Sequence, residues 1–191
     1  MRVITIAALL VLTACAGDRN QAPADKFMKD ISAHCGRSYE GRVVSDDQVD
    51  DAFAQETLIM QVRRCRKSIL HIPFHVGDDH SRTWVITRTE NGLRLKHDHR
   101  HEDGSADAVT QYGGDSQTIN GGRAEFPADQ YSIELFEREG LTASVGNVWA
   151  VEITEDLFAY ELSRENRFFR VEFDLTTPVA APPPPWGAEG L

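Results

Sequence analysis

Asn91-Gly92 stands between two runs that alternate apolar and polar residues, Thr83 to Thr89 and Leu93 to His101. Both turn residues accept positive φ, so this pair between period-two runs is the strongest short-range mark of a β-hairpin. A two-residue Asn91-Gly92 loop sets Glu90 opposite Leu93, Arg88 opposite Leu95, Ile86 opposite His97 and Trp84 opposite His99. Strand parity then gathers Trp84, Ile86, Leu93, Leu95, His97 and His99 on one face, which is the face expected to be buried. Val85, Thr87, Arg94, Lys96 and Asp98 fall on the other. Arg88 is discordant on the inner face and needs a partner or an end position.

The same period recurs along the chain. Tyr39 to Val44, Leu58 to Val62, Leu70 to Val76 and Asp107 to Tyr112 read as strands, as do Val148–Ile153, Leu157–Leu162 and Phe168–Leu175. Pro73 cannot donate to a ladder, so its strand is expected at an edge or with a bulge. Asp46 to Ala54 reads as an acidic turn with some helix, Gly77 to Ser81 as a polar loop, and Gly113 to Gly122 as a glycine-rich loop. Phe27, Met28 and Ile31 keep helical spacing within 24–34, and Tyr131, Leu135 and Phe136 within 128–139, with Asp129 and Gly140 as end signals. About nine short strands without regular βαβ units argue for a mainly β domain. The expectation is an antiparallel barrel-like or sandwich fold, lipocalin-like in form, with two or three short helices.

The first residues are of another kind. Arg2 precedes an apolar run from Val3 to Leu12, and small residues with a cysteine follow at once. This is the layout of a secretory signal. Its end, Leu12-Thr13-Ala14-Cys15, resembles the lipobox of bacterial lipoproteins. That resemblance implies cleavage before Cys15, acyl chains (palmitate among them) on Cys15, and the cell envelope as destination. Ala16 and Gly17 carry no inner-membrane retention Asp, which implies the outer membrane, facing the periplasm or the surface. The expected organisation is a signal peptide over 1–14, a lipidated tether over 15–24, a single β-rich domain over 25–178 and a Pro-rich tail over 179–191. Pro182 to Pro185 should be extended, with Trp186 folding back on the core or docking an aromatic-binding partner. The globular part is similar to uncharacterised secreted bacterial proteins, which implies no activity.

Cleavage leaves 177 residues, enough for one sizeable core, and loss of Arg2 takes the formal net charge from −10 to −11. Such a chain repels nucleic acid and anionic lipid surfaces. With Cys15 assigned to lipid, Cys35 and Cys65 form an even pair in an oxidising compartment and are expected to be disulfide-bonded.

The chemical feature is His97-Asp98-His99-Arg100-His101. His97 and His99 lie about 6.6 Å apart along a strand, near enough to share one zinc or copper ion. His101 is about 13 Å from His97, so a further ligand would come from His71, His75, His80 or Glu102. The rival readings are a ligand pocket lined by Trp84, His97 and His99, and plain ring packing. Three functions follow: a lipid-anchored envelope module that binds a small ligand or metal, a zinc hydrolase using His97 and His99 with Glu102 or Asp98 as base, and a structural envelope factor that binds a protein. Asp98 has the wrong parity for the second. There is no Gly-x-Ser-x-Gly elbow or phosphate loop, and no catalytic residue is assigned.

Overall fold

A computed structural model describes residues 21–188 of the chain. The expected signal segment, Cys15 and residues 15–20 of the expected tether lie outside the described residues. Twelve antiparallel strands form one curled sheet that makes an open barrel. In chain order the elements are α1 (Gln21–Ser32), β1 (Ser38–Val43), a 3-10 turn (Gln48–Asp50), α2 (Asp51–Ala54), β2 (Leu58–Gln61), β3 (Arg64–Arg66), β4 (Ile69–Val76), β5 (Asp79–Thr89) and β6 (Gly92–His99). There follow β7 (Tyr112–Asp115), β8 (Thr118–Asn120), β9 (Arg123–Pro127), α3 (Gln130–Arg138), a second 3-10 turn (Thr142–Ser144), β10 (Val148–Ile153), β11 (Leu157–Arg164) and β12 (Arg167–Val179). The strand order is β7-β6-β5-β4-β2-β1-β12-β11-β10-β9-β8, with β3 paired to β4.

The mainly β, antiparallel, barrel-like expectation holds, and three local readings are corrected. The β5–β6 hairpin turns at Glu90-Asn91, so Trp84 pairs with His97, Ile86 with Leu95, Arg88 with Leu93 and Arg82 with His99. Neither turn residue has a positive φ; only Gly92, which closes the hairpin, does. Moving the turn by one residue shifts every partner by two, so each side chain keeps its expected face. Asp107 to Tyr112 is not a strand, and the glycine-rich stretch after it contains β7 and β8 rather than a bare loop. Gly114 packs so tightly that a Cβ there would sit 1.8 Å from the Pro127 carbonyl oxygen. Pro73 lies on an interior strand rather than an edge, and its strand carries the bulge expected as the alternative, between Phe74 and Val76. The neighbouring strand is interrupted between Gln61 and Arg64 opposite it. A missing donor is harmless where the ladder is already broken.

The two margins of the sheet meet through a bolt built on Asp129. Its backbone N–H donates to Gly113 O at 2.8 Å, and its carboxylate caps α3 by accepting from Ser132 N. Lys96 reaches the other carboxylate oxygen at 2.5 Å. Burial opposes this carboxylate, but the bonds from Lys96 and Ser132 outweigh it and hold its pKa below the usual range.

One barrel end is sealed by α1. Ala24, Phe27, Met28 and Ile31 share a helical face and are buried against the sheet. Arg88 has its end position here: Nε donates to Asp25 at 2.7 Å and Nη1 to Gly92 O at 3.0 Å. The Cys35–Cys65 disulfide ties the segment after α1 to β3. The other end is covered by the 3-10 turn and α2.

Beyond β12 the chain turns back on the domain. Trp186 N–H donates to His80 O at 3.1 Å, Pro185 is buried, and Gly187 packs against Gly104. No described helix is long and apolar enough to cross a membrane.

Candidate functional site

His97 and His99 reach the barrel interior because they share the parity of Leu93 and Leu95. Together with Trp84 they line a cavity of about 190 Å³ at the end opposite α1. Tyr112 and Tyr160 close its sides, Arg82 stands at its mouth, and Phe53 of α2 covers it.

Hydrogen bonds assign the His97 tautomer. Nδ1 lies 3.1 Å from Tyr112 O, which can only accept, so Nδ1 carries the proton. Nε2 is then an acceptor, and Tyr160 donates its hydroxyl proton to it across 2.8 Å. Burial lowers the His97 pKa to about 3, helped by the neighbouring His99. Burial, and then the Arg82 charge, lower that of His99 to about 4. Both rings are therefore neutral at pH 7. Desolvation pushes both tyrosine hydroxyls above their ordinary value, so these too are uncharged.

The aromatic walls are ordered by stacking. Trp84 lies nearly parallel to Tyr160 at 4.4 Å and to Phe74 at 4.8 Å. Tyr112 stacks on His97 at 4.5 Å, and its hydroxyl lies 3.0 Å from His99 Nε2. Tyr112 is turned inward by Gln111, a non-glycine residue at φ 59 whose N–H bonds His97 O. That costs roughly 1–2 kcal/mol of backbone strain, and it falls at the site's margin.

The cover is clamped by charge. Asp50, almost wholly buried, accepts from both terminal nitrogens of Arg167 on β12 and from Ser45 Oγ. Arg167 also reaches Asp47 at 3.3 Å. Phe53 packs edge-on against Phe169, and Arg82 lies over the Phe53 ring at 5.6 Å.

The five histidines expected as zinc or copper ligands are not brought together. His71 lies on the outer face of β4 beside Arg63, Arg64 and Pro73, and His101 is exposed beyond the end of β6. His75 is buried outside the barrel interior, edge-on to His80 at 4.5 Å. The Nε2 atoms of His97 and His99 are each met by a tyrosine hydroxyl rather than by an open position. Among the described residues no group of three or more His, Cys, Asp or Glu is placed to hold a metal ion. A zinc hydrolase needs three ligands and a vacant site, so the arrangement does not fit one. Asp98 faces outward, where it pairs with Arg100 and Gln111.

Arg82, Tyr112, Tyr160, Asp50 and Arg167 complete the site and were not singled out in the sequence. Tyr160 alternates with Phe158 and Leu162 on the inner face of β11, a parity signal that was readable. The others arrive from separate turns and strand ends. A wider groove of about 940 Å³ runs beside α1, where Lys26 pairs with Asp30 and His34 with Tyr39.

No protein-family model, curated protein or solved structure matches this chain.

Proposed function

We propose that the protein is a lipid-anchored cell-envelope module that holds one small ligand in the cavity formed by Trp84, His97 and His99. The supporting observation is the cavity itself: a half-open aromatic space at a barrel mouth, with neutral hydrogen-bonding groups and a clamped cover. Its size limits the ligand. An apolar cavity of about 150 Å³ holds benzene, so 190 Å³ accommodates one six-membered ring with a small substituent. Its polar groups bond one another, His97 to Tyr160, His99 to Tyr112 and Asp50 to Arg167, an arrangement that supports binding. Acyl chains on Cys15 would hold the module at the outer membrane, since several chains anchor firmly where one does not.

Two experiments test this. Ligand-observed NMR with phenol should show saturation transfer from the protein, and Leu162→Trp, which fills the mouth, should abolish it; phenol that never binds sinks the pocket reading. Labelled palmitate should enter the protein in its native host and be lost in Cys15→Ser. A Cys15→Ser protein that still takes up label would end the anchoring half.

A further inference from the structure

The cavity has charged groups at its mouth. Its lining holds two cations, Arg82 and Arg167, against one anion, Asp50, and its histidines are uncharged. Counted with the carboxylates they touch, Asp79, Asp50 and Asp47, these cations leave no net positive charge, so what distinguishes them is how many of their N–H groups are already used. Arg167 is committed to Asp50 and Asp47. Arg82 is not equally committed. Among the described residues its one hydrogen-bonded partner is Asp79, through Nη1 at 2.6 Å. Nε and Nη2 remain, in the fork geometry that suits a carboxylate. Arg82 is also the cross-strand partner of His99, so both side chains leave the sheet on the cavity side at the same level. Its charge is felt by His99, Tyr112 and Tyr160, the three polar groups deeper in.

Building on the pocket reading above, we infer that the ligand is a small aromatic carboxylate, its ring among Trp84, Tyr112 and Tyr160 and its carboxylate on Arg82. Benzoate-sized anions meet both limits: one ring fits the volume, and one carboxylate can accept from Nε and Nη2 of Arg82. Arg82 is partly buried, so that charge pair is somewhat stronger than it would be on the open surface. Asp79 competes for the same guanidinium and weakens the hold on the anion.

The test uses the full chain carrying Cys15→Ser, titrated at pH 7 with benzoate and with benzyl alcohol, a neutral molecule of similar size, while the indole N–H resonances are followed by NMR. Benzoate should bind at least tenfold more tightly than benzyl alcohol. Arg82→Gln should collapse that preference, and Asp79→Asn should widen it. Asp79→Asn keeps the loop acceptor for Ser81 and so decides the matter even if Arg82→Gln fails to fold. Equal binding of the two probes, or a preference untouched by either substitution, overturns the carboxylate inference and leaves the cavity reading standing. Absence of binding by both probes overturns both.

Discussion

The hydroxyl of Tyr160 gives His97 Nε2 its proton donor inside a space from which water is largely excluded. Removing it should leave a buried acceptor unpaired. Tyr160→Phe is expected to cost about 1–3 kcal/mol in urea denaturation; a cost near zero would mean that water already serves Nε2. Asp50 and Arg167 give a larger case, since both side chains are mostly buried and doubly bonded. Arg167→Met leaves a carboxylate buried without its cation and should destabilise by about 3 kcal/mol. The double variant Asp50→Asn/Arg167→Met should recover part of that loss, and no recovery would show that the two residues act separately. His75 is the opposite case. Both of its ring nitrogens are buried without a hydrogen bond, so it carries polar atoms at a cost.

Elements are held in place by few, identifiable ties. The Cys35–Cys65 bond closes a loop of sequence separation 30 between α1 and β3. The chain-entropy relation gives about 3–4 kcal/mol for a loop of this length. Cys35→Ser/Cys65→Ser should lower stability by that order, with Trp fluorescence of the native state unchanged; a loss below 1 kcal/mol would assign the junction to α1 packing alone. The margin between β7 and β9 depends on the absence of a side chain at Gly114, where the obstacle is backbone rather than a movable side chain. Gly114→Ala should open the barrel and raise hydrogen exchange at Asp129 N–H first. Retained protection at that amide would show that the margin yields without parting.

The whole molecule should be sensitive to acid. Burial lowers His75 to about 4, with His80 and Arg63 adding to it and Asp79 opposing; His97 falls to about 3 and His99 to about 4. Each folded value lies below the ordinary 6.5. The stability these rings contribute is therefore complete above pH about 6.5 and is lost as the pH falls toward the folded values. By pH 4 the loss for a ring shifted this far is on the order of 3 kcal/mol. Denaturation midpoints at pH 7 and pH 4.5 should differ strongly, and His75→Leu should flatten the difference while leaving pH 7 stability equal or higher. A pH slope unchanged by His75→Leu would exclude this ring as a contributor.

Much of this architecture can be read without coordinates, and the residues show why. Alternation at Val148–Ile153, and helical spacing with Asp129 and Gly140 at α3, report local rules: side-chain parity, capping and positive φ act over a few neighbours. The inward face of Trp84, His97 and His99 follows from the same parity, which survives a hairpin displaced by one residue. What local rules could not supply is any pairing between distant segments. Asp50 meets Arg167 across 117 positions, and Tyr160 meets His97 across 63. The glycines at 113 and 114 read locally as a loop, whereas they serve close backbone approach: Gly113 to Leu95 and Gly114 to Pro127. Periodicity tells each strand which side to bury; only closure of the sheet, a balance of long-range packing and chain entropy, determines which side chains confront one another across the cavity.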